Sequence, residues 1–204
     1  MRSIKQQAFL GWSTVAIATV FIVLTSALIL YPKLNDENIL TALRFSSLTT
    51  AMPFLLLFVV QPLAVVRRRV RPWLQDNRRY LWLILTISHL IHLYQIYLFY
   101  QLGKSCPLTI WLATTPLWII MIIFSAIELI APNLLGYTYK ANGATALNWF
   151  YKIGTWYIWL VFTLAFGLGV VANHLPFYNI PALVLYVAGA MIYGMVWWWK
   201  RAAG

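Results

Sequence analysis

Residues 67–102 read RRRVRPWLQDNRRYLWLILTISHLIHLYQIYLFYQL, and their reading decides the fold. Six arginines (Arg67, Arg68, Arg69, Arg71, Arg78 and Arg79) stand ahead of an apolar run from Leu81 to Leu102. About 20 mostly apolar residues suffice to cross the hydrocarbon of a bilayer as a helix. A basic cluster at one end of such a run marks the cytoplasmic side. Inside the run sit two histidines, His89 and His92. An ionisable side chain at bilayer depth is costly, so it is read first as a functional group.

The rest of the chain agrees with a membrane setting. It has 204 residues, of which 62% are hydrophobic and 9% charged, against about 25% charged in an average soluble domain. The only acids are Asp36, Glu37, Asp76 and Glu128, too few to clothe a water-soluble surface. The net charge of +11 invites a nucleic-acid reading. Its basic residues cluster at the ends of apolar runs rather than along one polar face, which argues against nucleic acid. One cysteine, Cys106, excludes an intrachain disulfide and a cysteine metal cluster.

Six segments qualify as spans, at approximately 8–31, 45–66, 80–102, 108–131, 147–172 and 177–199. The expected architecture is therefore all-α, a polytopic membrane protein forming a six-transmembrane-helix bundle, with residues 1–204 as a single domain. The first run is too long for a signal-peptide core and reads as a retained helix. Prolines 32, 72, 107, 132 and 176 fall near span ends, where proline is tolerated. Tryptophan and tyrosine crowd those ends, and the eleven tryptophans are expected to act as interfacial anchors. With the N-terminus inside, twelve of the fifteen basic residues fall on the inner side and only Lys33, Arg44 and Lys104 outside. Both termini are therefore expected in the cytoplasm. No connection is long enough for a soluble domain, and no glycine-rich phosphate loop occurs, so no flavin or nucleotide site is expected.

His89 lies about 15 Å and His92 about 20 Å beyond Arg79 at 1.5 Å per residue. Three residues apart, both rings can face the bundle. One reading is haem iron ligation by a neutral imidazole, with haem b as cofactor. The other is a core histidine satisfied by a hydroxyl or carbonyl on a neighbouring helix. The third histidine, His174, falls at the outer end of the fifth span, more than about 10 Å further out by helix rise, and is poorly placed to share an iron with His92. Met52, Met121, Met191 and Met195 are available as alternative partners. Glu128 and Lys152 fall at similar depth on the fourth and fifth spans, and they are expected to form a structural ion pair. Gly154, Gly167, Gly169, Gly189 and Gly194 are expected at close helix approaches.

The stretch from the second to the third span resembles the ferric-reductase-like transmembrane family. Its nearest branch is the bacterial six-helix haem branch that serves periplasmic methionine sulfoxide reductase. The family closes its second helix on a Thr-Pro-Leu-like triplet, here Gln61-Pro62-Leu63. A basic loop follows, then an Arg-Arg-x-Leu-Gly-Leu-like element, here Arg78-Arg79-Tyr80-Leu81-Trp82-Leu83, with His92 thirteen residues after the second arginine. The likeness is specific over about 50 residues. It implies a bacterial inner-membrane protein with haem b on His92, His89 being an unmatched extra. It also implies electron transfer from the cytoplasmic side or the quinone pool to an outer partner protein or redox subunit. Asn148 and Val161 stand where the family carries its fifth-helix histidines, and Trp82 stands at a family glycine.

Three functions follow as expectations. The first is an electron-transfer oxidoreductase subunit. The second is a haem-free membrane scaffold or assembly subunit that kept the fold without the ligands. The third, a small transporter or channel, is disfavoured because few polar groups are available to line a path.

Overall fold

Hydrocarbon offers backbone amides no partners, so a chain this apolar must close its hydrogen bonds within helices. The computed structural model describes residues 11–31, 33–66, 70–105, 107–132, 146–172 and 176–202. Among them are six helices: α1 (Trp12–Leu30), α2 (Asp36–Val66), α3 (Val70–Gln101), α4 (Leu108–Ile130), α5 (Ala146–Val171) and α6 (Pro176–Ala202). Each is long and apolar enough to cross a membrane. The chain is thus an all-α, multi-pass membrane protein whose outer faces, such as Leu28, Leu112, Leu168 and Val184, are dressed for lipid.

Two helices begin well ahead of their apolar runs. α2 starts at Asp36 rather than near 45. Asn35 caps it, its side-chain oxygen accepting the Asn38 amide at 2.9 Å, and Asp36 and Glu37 in the first turn suit the positive end of the helix dipole. α3 starts at Val70 rather than near 80, with Pro72 in its first turn, where a missing N–H costs nothing. Pro53, Pro62, Pro116 and Pro181 lie inside helices, which membrane helices tolerate through neighbouring groups.

α2 is central: it packs along α3 and also touches α1, α5 and α6. The core is aromatic. Phe54 sits against Phe162 and Tyr186 with ring centroids 5.9 and 6.3 Å away, and Phe58 packs on Trp156 and Tyr193. Two polar tips in this core are satisfied across helices: the Tyr186 hydroxyl donates to the Ala51 carbonyl at 2.9 Å and the Trp159 indole to the Tyr186 carbonyl at 3.0 Å. The tryptophans therefore divide. Trp149 and Trp197, Trp198 and Trp199 are exposed, as interfacial anchors should be, whereas Trp82 is fully buried. Close helix approaches occur at three of the five expected glycines. A Cβ on Gly154 would meet Phe124 and Ile120 of α4 at 2.7 and 2.9 Å, one on Gly189 would meet Leu55 at 3.1 Å, and Gly169 abuts Asn179. Gly167 and Gly194 face open space.

Candidate functional site

α3 carries two polar stripes, one toward each neighbour. Ser88, His92 and Gln95 recur at helical spacing on the side of α2. Arg78, Trp82 and Thr86 recur at helical spacing on the side of α4.

The first stripe forms a hydrogen-bonded seam across three helices. Ser88 Oγ lies 2.8 and 2.9 Å from the hydroxyls of Thr49 and Thr50, and both threonines also donate to the Ser46 carbonyl. Ser46 Oγ is 2.8 Å from His92 Nδ1 and 2.6 Å from Gln95 Oε1. Gln95 Nε2 donates onward to Ser26 Oγ of α1 at 3.0 Å. Ser46 has one hydroxyl hydrogen. Assigning it to the shortest contact, Gln95, makes His92 Nδ1–H the donor to Ser46 and leaves the lone pair on Nε2.

His89 takes a different setting one turn earlier. Its ring stacks on His92 with centroids 5.6 Å apart and meets the Trp118 edge of α4 at 6.0 Å. Its Nε2 is buried with no hydrogen-bond partner among the described residues. The two imidazoles thus address α2 and α4. His174 and the side chain of Asn148 lie outside the described residues. Val161 is half-buried on α5.

The second stripe ends in a buried ion pair. Arg78 Nη2 is 2.7 Å from Glu128 Oε1, with side chains only 5% and 1% exposed. About one turn toward the bilayer centre, Ser125 Oγ donates to the Trp82 carbonyl at 3.0 Å and touches Thr86 Oγ1 at 2.6 Å. The Trp82 ring and Tyr151 roof the pair. This corrects the sequence expectation for Glu128. Lys152 is exposed, its ammonium 5.7 Å from the Trp149 ring centroid, and Arg78 takes the place expected for it. The physical reason is depth: α3 and α4 form an antiparallel hairpin, and Arg78 and Glu128 are nearly equidistant in sequence from the turn at Lys104. Lys152 reaches the aromatic interface by its flexible stem instead. The signal in the sequence is the spacing Arg78–Trp82–Thr86 opposite Met121–Ser125–Glu128, which sets Arg78 apart from the other five arginines of the cluster.

A haem clamped between α3 and α5 does not fit these residues. On the cytoplasmic side of His92, about 15 Å along α3, the α3–α5 space is filled by Trp82, its ring 5.2 Å from Phe124 and 6.3 Å from Tyr151, and Met121, Phe124 and Ile158 are fully buried in the same core. A planar macrocycle needs that volume open, and a closely packed interior does not yield it without strain. His92 donates Nδ1–H to Ser46 and keeps Nε2 for a ligand, but the two histidines share one helix, so they cannot clamp opposite faces of one iron, and Val161 on α5 is no iron ligand. Met52, Met191 and Met195 are exposed on the outer faces, and Met121 is packed in the core.

No family profile matches this chain, and neither a curated protein nor a solved structure is significantly similar to it.

Proposed function

We propose that the chain is a haem-free membrane scaffold or assembly subunit, a six-helix protein on a ferric-reductase-like plan whose polar interior serves structure rather than redox chemistry. The observation that carries this reading is the use made of His92. Its ring is built into the Ser46–Gln95–Ser26 seam that ties α3 to α2 and α1, and α5 presents Val161 rather than an opposing iron ligand. A scaffold needs such a rigid centre and an outer face free for partners; the exposed apolar faces of α1, α4 and α6 supply it.

The place of action is the bacterial inner membrane with both termini cytoplasmic. The twelve-to-three division of basic residues supports the orientation, and the six candidate spans among the described residues are consistent with it.

A second reading has one observation in its favour. His89 Nε2 is buried with no partner among the described residues, and an unsatisfied buried nitrogen is the kind of atom a ligand satisfies. On that reading the chain is an electron-transfer subunit with haem b on a single α3 histidine, exchanging electrons with quinone or a partner redox subunit.

One preparation tests both points. Membranes from cells supplied with haem, expressing the chain with alkaline phosphatase fused after Gly204, should give purified protein without a Soret band and fusions without phosphatase activity. A Soret band that disappears in His92→Ala or His89→Ala would replace the scaffold reading with the electron-transfer one. An active fusion would overturn the orientation.

A further inference from the structure

Between α1 and α3 runs a groove of about 630 Å3, within the roughly 300–1,000 Å3 of small-molecule sites. Val23, Leu30, Leu90, Ile91 and Leu98 wall it. It extends from Thr19 and Ile87 to Leu34 and Leu98, about 16 Å at 1.5 Å per residue, close to the depth of one leaflet. Besides Thr19, whose hydroxyl donates to the Val15 carbonyl at 2.8 Å, and the exposed Tyr94, two buried polar groups line it: Ser26, 5% exposed, and Gln95, 1% exposed.

Counting hydrogens shows that this pair lacks an acceptor. The Gln95 amide carries two hydrogens and the Ser26 hydroxyl one. Gln95 Nε2 gives one hydrogen to Ser26 Oγ, and Gln95 Oε1 is occupied by Ser46. The second amide hydrogen and the Ser26 hydroxyl hydrogen meet no acceptor among the described residues. Turning the amide over lets Ser26 donate to Oε1 and sends an amide hydrogen to Ser46, yet one amide hydrogen is still left over. In either orientation the pair carries a surplus donor where water is scarce, which is costly unless an acceptor arrives from outside.

We propose that the groove is a phospholipid site. One acyl chain lies along the aliphatic walls and its ester carbonyl accepts a hydrogen bond from the Gln95–Ser26 pair. The walls select the class. They are aliphatic along their length, with Tyr94 the single ring, so they suit an alkyl chain and offer no aromatic slot to a quinone head. No charged side chain lines the groove, so a free phosphate or a carboxylate finds no counter-charge there.

The test uses the whole chain reconstituted in vesicles of diester phosphatidylethanolamine and phosphatidylglycerol, extracted in mild detergent and weighed by native mass spectrometry. One phospholipid per chain should survive extraction. Gln95→Leu should lower that retention about five-fold or more, the loss of one hydrogen bond expressed as an equilibrium ratio. Diether lipids, which lack the carbonyl, should be retained as poorly on the wild-type chain as diester lipids are on Gln95→Leu. Leu90→Trp, which fills the groove without touching the polar pair, should abolish retention and keep the wild-type unfolding midpoint. Four results would overturn the proposal: no retained lipid on the wild-type chain, equal retention of diester and diether lipids, full retention by Leu90→Trp, or replacement of the phospholipid by an added isoprenoid quinone. None of these bears on whether a Soret band is present, so this site and the scaffold reading stand or fall separately.

Discussion

The two halves of α3 make opposite use of polar side chains. Near its N-terminal end, Arg78 meets Glu128 as a buried ion pair, with Trp82 and Tyr151 excluding water. Toward its C-terminal end, Ser88, His92 and Gln95 join hydroxyls and an amide of α1 and α2 in a neutral seam. A buried charge depends on one partner, and losing that partner strands it. A neutral seam spreads its bonds over many groups, each worth little inside a membrane. The first arrangement fixes how α3 and α4 register; the second lets α1, α2 and α3 pack closely with the His92 imidazole and the Gln95 carbonyl oxygen partnered by Ser46.

The comparison breaks most readily at the charged end. Glu128→Ala leaves the Arg78 guanidinium buried without its carboxylate, and removing one partner of a buried pair costs about 3–5 kcal/mol. Unfolding in mixed detergent and dodecyl sulfate micelles should show a loss of that size. The double variant Arg78→Met, Glu128→Leu should recover most of it, because apolar residues of similar volume often replace a buried pair without penalty. A double variant as unstable as Glu128→Ala would mean that the pair stabilises the hairpin beyond its own charge balance.

The neutral seam should respond less. Ser46→Ala removes the hydroxyl that bridges His92 and Gln95. Interhelical hydrogen bonds in membrane proteins average about 0.6 kcal/mol, with a maximum near 1.7, so a loss of about 0.5–2 kcal/mol is expected in the same unfolding assay. A cycle with His92→Ala should give coupling in that range. A loss as large as that of Glu128→Ala would erase the distinction between the two halves and make Ser46 the centre of the bundle.

How much of this was legible in the sequence depends on what decides each feature. Hydrocarbon length decides spans, so six runs announced six helices. It does not decide where a helix stops in the interface, and α2 and α3 continue through Asp36–Arg44 and Pro72–Arg79 because polar residues hold helical hydrogen bonds as well as apolar ones do. The interior position of His92 was legible because imidazole must find a partner in hydrocarbon. Its partner Ser46 was not, since nothing local distinguishes Ser46 from Ser47, whose hydroxyl instead meets Tyr178 at 2.6 Å. Trp82 read as a departure from a glycine-bearing pattern. In three dimensions it is a fully buried wedge between α3, α4 and α5.

The smallest effect belongs to the residue that sequence depth had paired with Glu128. Lys152 is exposed, its ammonium lying over Trp149 near the limit of a cation–π contact. Lysine reaches water by its flexible stem, so its charge is solvated whatever Glu128 does. Lys152→Met keeps the stem and removes only the charge. A surface substitution of this kind changes stability by no more than about 0.5 kcal/mol, and the unfolding midpoint should stay within that margin of the wild-type chain. Combined with Glu128→Ala, the double variant should lose the sum of the two single losses, since residues that do not share a partner behave independently. If Lys152→Met instead costs as much as Glu128→Ala, or if the two losses fail to add, then Lys152 shares the carboxylate with Arg78. The charged half of α3 would then be a three-helix junction reaching α5 rather than a clasp between α3 and α4.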